Sequence, residues 1–163
     1  MNTDGCGGTQ GNADGRGWFL LHGRCSLEFK HGDITDLILK AFYKVYGTLG
    51  YGFLEKVYRN SLAVELRGMK LDVVQEARIE VYYEGEVVGE YYADLLVANV
   101  VLVEVKSVQK LLEEHEAQLL NYLKATPYEV GLLLNLGPKP EVKRKAFDNS
   151  RKGSLHWLKE QLA

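Results

Sequence analysis

The segment YYADLLVANVVLVEVKSV, residues 91–108, constrains this chain more than any other. It is rich in apolar and β-branched residues, as a buried strand pair would be, yet it carries Asp94, Glu104 and Lys106. An unpaired charge in an apolar interior costs far more than one buried hydrophobic side chain returns. The three charges must pair with one another or bind something.

Side chains alternate faces along a strand, so Glu104 and Lys106 point the same way while Val103 and Val105 pack on the other side. Asn99 marks a short connection, with Asp94 five residues before it and Glu104 five after. A hairpin folded there brings the two acids together. Carboxylates that close repel unless a proton or a cation lies between them. A hard divalent ion with oxygen ligands, Mg²⁺ foremost, resolves the conflict. Lys106 beside such a site could stabilise an attacking hydroxide or charge developing on a phosphoryl oxygen. The plainer alternative is a solvent-facing Glu104–Lys106 ion pair, and an E-x-K triplet alone favours that alternative.

The rest of the chain supplies a frame. From Asp33, a candidate N-cap, the residues Ile34, Leu37, Ile38, Ala41, Phe42 and Val45 follow one helix face. After the turn YGTLGYG a second helix is predicted from about Gly52 to Gly68, burying Leu54, Val57, Tyr58, Leu62 and Leu66. Three strands are predicted over 73–83, 86–98 and 100–107, the first two joined by the tight-turn pair Glu84-Gly85. A helix over 113–125 ends before Pro127, and YEVGLLLNL at 128–136 reads as a buried strand that can run parallel to the third through a right-handed crossover. A weaker strand over 141–148 and a short helix from Ser154, with Leu155, Leu158 and Leu162 on one side, close the pattern. This order predicts an α/β fold with a mixed sheet flanked by helices.

With 163 residues there is room for one domain. Six of the 17 glycines fall in the first 17 residues, so residues 1–30 read as a flexible leader and 31–163 as the domain. No apolar run is long enough to cross a bilayer and no secretory signal opens the chain, so no membrane association and a cytoplasmic location are expected. Cys6 and Cys25 match no zinc spacing. The net charge of −2 gives no global attraction to nucleic acid, but Lys139, Lys143, Arg144, Lys145, Arg151 and Lys152 stand against only Glu141 and Asp148 near the end. Those six are candidate phosphate contacts, with a solvated surface strand as the alternative.

The segment containing Asp94 and Glu104-Val105-Lys106 resembles the D…(D/E)xK signature of the PD-(D/E)XK nuclease superfamily. Gly52-Phe53-Leu54-Glu55-Lys56-Val57-Tyr58 is similar to the motif of that superfamily's GxxExxY family, and the likeness runs from Ile34 to about Leu136. It implies a restriction-endonuclease-like αβββαβ core and a Mg²⁺- or Mn²⁺-dependent nuclease acting on nucleic acid, DNA before RNA. Asp94 and Glu104 would then be metal ligands, joined by the Val105 carbonyl and by Glu55 directly or through water. Lys106 would be the catalytic lysine. Gln118 and Tyr122, in HEAQLLNYL, look like the Q-x-x-x-Y element of RecB-like nucleases that borders the active site. His115, Gln118 and Tyr122 also form one polar stripe on their helix by spacing alone; His115 is expected to be structural. Two competing readings remain. One is a nuclease-fold module without turnover that acts with nucleic acid, a protein partner or a second copy of itself. The other is an enzyme for a different phosphodiester substrate.

Overall fold

The computed structural model describes residues 30–152. Helices α1 (Gly32–Leu49) and α2 (Glu55–Gly68) precede strands β1 (Val73–Tyr83), β2 (Glu86–Val97) and β3 (Val101–Lys106). Helix α3 (Glu113–Lys124), strands β4 (Val130–Asn135) and β5 (Glu141–Ala146) and a single 3-10 turn at Asn149–Arg151 follow. The strands form one sheet in the order β1-β2-β3-β4-β5, in which β3–β4 is the parallel pair and the other neighbours are antiparallel. Helix α3 makes the crossover that a parallel pair requires. This is the mixed-sheet α/β arrangement expected from the element order, and it is consistent with the restriction-endonuclease-like core that the resemblance implies.

Each sheet face buries its own core. Val101, Val103 and Val105 of β3 and Leu132 and Leu134 of β4 pack with Ile38, Phe42, Tyr58, Leu62 and Leu66 of α1 and α2. Leu102 and Leu133 on the opposite face pack with Leu119, Tyr122 and Leu123 of α3. Strands β3 and β4 are covered on both sides and therefore read as continuous apolar runs. Glu84 and Gly85 have φ of 51° and 85°, the paired positive values of a type I′ hairpin turn.

Two expectations about helix starts need correction. The residue capping α1 is His31, in a left-handed conformation, and Asp33 lies inside the first turn. Helix α2 begins at Glu55 rather than Gly52, and Leu54 and Val57, expected to be buried, are 79% and 37% exposed. The turn continues past Gly52 because the Tyr58 hydroxyl donates to the Gly50 carbonyl (2.8 Å) and accepts from the Phe53 N–H (3.2 Å). Leu54 is then extended and shares no face with Tyr58. The leader up to residue 29, both cysteines and the helix from Ser154 lie outside the described residues. Among the described residues no helix is long and apolar enough to cross a membrane.

Candidate active site

The hairpin between β2 and β3 pairs Leu95 with Val103, and the next step along each strand carries Asp94 and Glu104. Strand alternation breaks at this point. Ala93 belongs to the α3-side core and Leu95 to the α1/α2-side core, although residues two apart on a regular strand share a face. Glu76, opposite the break on β1, has φ of 52°. At this break the Asp94 Oδ2 accepts the Val105 N–H at 2.8 Å. A side chain thus takes a backbone donor of β3 at the strand's end.

Glu104 shares its face with Leu102 and is 4% exposed. Its Oε1 accepts from Lys106 Nζ at 2.8 Å, while its Oε2 is buried with no hydrogen-bond partner. Burial pushes the Glu104 carboxyl up to about 7, the nearby Asp94 charge adds to the rise, and Lys106 offsets only part of it. Burial also raises Asp94, against the Val105 N–H and the Lys106 and Arg59 charges. Burial would lower the Lys106 ammonium, but its bond to Glu104 and the Glu104, Glu55 and Asp94 charges raise it, which keeps it a cation.

Two helices close the site from opposite faces. From α2, Glu55 Oε1 accepts the Ser107 N–H (3.3 Å) and the Phe53 carbonyl accepts the Ser107 hydroxyl (2.9 Å), tying the turn before α2 to the end of β3. Gly52, at φ 109°, occupies a conformation that side chains rarely adopt. From α3, Gln118 Nε2 donates to the Tyr122 hydroxyl at 2.7 Å. Burial raises the Tyr122 phenol, and it also feels the charges of Glu104, Lys106 and Asp94. His115 reaches back through Nδ1 to accept the Leu112 N–H (3.1 Å), a helix-start role.

The structure therefore brings together Asp94, Glu104 and Lys106, with Glu55 at one edge and Gln118 and Tyr122 at another. Glu55 does not complete a three-carboxylate cage: among the described residues no three His, Cys, Asp or Glu side chains are grouped to hold a metal. The two acids that do meet suit a hard cation, because Glu104 Oε2 is an orphaned buried oxygen and Asp94 adds a second charge beside it.

Sequence reasoning missed Arg59. One turn beyond Glu55, its Nη1 lies 3.5 Å from Asp94 Oδ1 and 3.0 Å from Glu76 Oε1. The i, i+4 spacing from Glu55 was a visible signal. The six basic residues do not gather. Lys143 and Lys145 pair with Glu116, and the Arg144 guanidinium donates to the Lys30 carbonyl. Arg151 stacks over Phe147, and Lys139 is exposed on the β4–β5 connection. Lys152 donates to the Thr126 and Tyr128 carbonyls at 2.7 Å each, and burial lowers it to about 8.

A family model described as the PD-(D/E)XK nuclease superfamily matches residues 32–145, the span that holds the whole sheet except the last residue of β5. The chain belongs to the PD-(D/E)XK nuclease superfamily. Two solved structures are similar. The crystal structure of SSO0001 is 21% identical with a TM-score of 0.45, the match covering 79% of this chain and 65% of that one. An alkaline exonuclease, LHK-Exo from Laribacter hongkongensis, is 11% identical with a TM-score of 0.45, covering 75% and 73%. The chain thus spans 65% of the length of the first of these relatives. No curated protein matches it.

Proposed function

We propose that this PD-(D/E)XK protein is a divalent-metal-dependent nuclease that hydrolyses phosphodiester bonds, in DNA before RNA, and that it falls within the GxxExxY group. The observation that carries the reading is the orphaned, buried Glu104 Oε2 beside Asp94, with Lys106 on the other Glu104 oxygen. A purely structural ion pair would leave neither an unpaired oxygen nor a second acid next to it. Asp94 and Glu104 would hold Mg²⁺ or Mn²⁺, with the Val105 carbonyl as a further oxygen donor and Glu55, at the edge of the site, reaching the ion through water. When bound, the ion supplies polarisation of the scissile phosphate and a lowered pKa for the attacking water.

The chain's own residues do the rest. Lys106, kept cationic by Glu104, orients the water and stabilises negative charge growing on the phosphoryl oxygens. The Val105 N–H and Arg59 hold the Asp94 carboxylate in place. Each residue that names the GxxExxY group has a local task here: Gly52 permits the turn, Tyr58 pins it, and Glu55 joins it to Ser107 beside Lys106. Gln118 and Tyr122 border the phosphate from α3. Lys139 and Lys143, exposed at the sheet edge, are the members of the basic group best placed for backbone contacts.

The test is incubation of the purified chain with linear, circular and single-stranded DNA and with RNA, in Mg²⁺, Mn²⁺ or chelator. Cleavage that needs metal and is lost in Asp94→Ala and Lys106→Ala is expected. Absence of metal-dependent cleavage, or variants that cleave like wild type, refutes the proposal.

A further inference from the structure

A groove of about 690 Å³ runs between the outer part of the β1–β2 hairpin and α3. Val81, Val88, Tyr91, Gln118, Asn121 and Tyr122 line it. Two of these, Gln118 and Tyr122, are hydrogen-bonded to each other, and Tyr122 feels the charges of Glu104, Lys106 and Asp94, so the groove lies beside the site. Tyr91 is 51% exposed, and its ring lies 5.9 Å from that of Tyr122 at 47°. An exposed aromatic face beside a buried one leaves room for a third flat ring.

The charge of the lining limits what that ring can be. The two charged residues on the helical wall, Glu114 and Lys124, have opposite signs, so the groove offers no net attraction to phosphate. It offers apolar walls, aromatic faces and the amide edges of Gln118 and Asn121. That combination suits a neutral, planar heterocycle with hydrogen-bonding edges. We infer that the groove receives an unpaired nucleobase of the strand whose phosphodiester lies at Glu104 and Lys106. A base inside a duplex is already stacked and paired and cannot enter without being pulled out, whereas a single strand or frayed end presents its bases freely. The inference rests on the nuclease reading above and narrows it to substrates with an unpaired segment at the site.

The experiment uses the full chain in chelator, so that binding is measured without cleavage. Fluorescence of 2-aminopurine in a short single strand, and anisotropy of the same sequence as a blunt duplex, are read for wild type, Tyr91→Ala, Tyr91→Phe and Val88→Asp. Single-strand affinity should fall roughly tenfold in Tyr91→Ala and in Val88→Asp, stay near wild type in Tyr91→Phe, and the duplex should be unaffected. Quenching of 2-aminopurine should weaken in parallel. Thermal melting of each variant confirms that the fold persists. If Tyr91→Ala and Val88→Asp bind the single strand as wild type does, the groove holds something else, such as a protein surface or a chain terminus, and the inference is overturned while the nuclease reading stands. If the wild type binds no nucleic acid and cleaves none with metal, both fail together.

Discussion

Replacing Glu104 with Gln should stabilise the metal-free protein at neutral and alkaline pH, which is the reverse of what breaking a structural ion pair does. Glu104 is buried, next to Asp94, and its carboxyl is raised from 4.5 to about 7. Because the folded value lies above the unfolded one, the folded state holds more protons between them, and stability falls as pH rises through that window. Each pH unit there is worth about 1.4 kcal/mol, so the ionised side chain costs the folded protein up to about 3 kcal/mol above pH 7. Gln keeps the shape and an acceptor for Lys106 but deprives the ammonium of its charged partner, so a net gain of about 1–3 kcal/mol is expected. At roughly 2–4 °C per kcal/mol, the melting temperature of Glu104→Gln should exceed wild type by about 2–12 °C at pH 8, and the two should converge near pH 4.5. Differential scanning fluorimetry in chelator across that range measures it. Adding Mg²⁺ at pH 8 should raise the wild-type melting temperature and leave Glu104→Gln nearly unmoved. A variant less stable than wild type at pH 8, or a pH-independent difference, would mean that Lys106 already balances Glu104 and that nothing further is needed to neutralise the site.

Further outcomes follow from the same geometry. Lys106→Ala should lose about 100-fold or more in metal-dependent cleavage while its binding of nucleic acid in chelator stays within a few fold, measured by single-turnover assay and anisotropy. Tyr58→Phe removes a hydroxyl that joins the Gly50 carbonyl to the Phe53 N–H, so urea denaturation should show a loss of about 1–2 kcal/mol, and a wild-type midpoint would refute the pinning role. Gly137→Ala would set a Cβ 1.9 Å from the Val108 carbonyl oxygen, and a loss above about 3 kcal/mol or failure to fold is expected. Gly47→Ala, on α1 with nothing within 4 Å of the new carbon, should instead stabilise by about 0.5–1 kcal/mol.

Much of this was legible because the signals are local. The apolar runs of β3 and β4, the Glu84-Gly85 turn and the hairpin centred on Asn99 depend on residues close in sequence, and each appears where periodicity and turn chemistry put it. The same reasoning brought Asp94 to Glu104, since a hairpin makes sequence symmetry about its turn into proximity. Leu54 misled because a helical stripe was extended backwards into a turn whose shape is set by the Tyr58 hydroxyl, a contact with no periodic signature, while Val57, inside α2, falls off the buried face that Tyr58, Leu62 and Leu66 form.

The presence of Glu104 and Lys106 on one strand face and the order of the elements belong to the sequence alone; so does membership of a fold in which a helix must carry the chain from β3 to a parallel β4. The tertiary structure decided which charges find partners. Arg59 of α2 reaches Asp94 of β2, Lys152 is committed to two carbonyls, and Glu104 Oε2 is left without a donor. Hydrogen bonds and ion pairs act over a few ångströms between residues far apart in the chain, so spacing can nominate such groups but only packing can pair them or leave one bare.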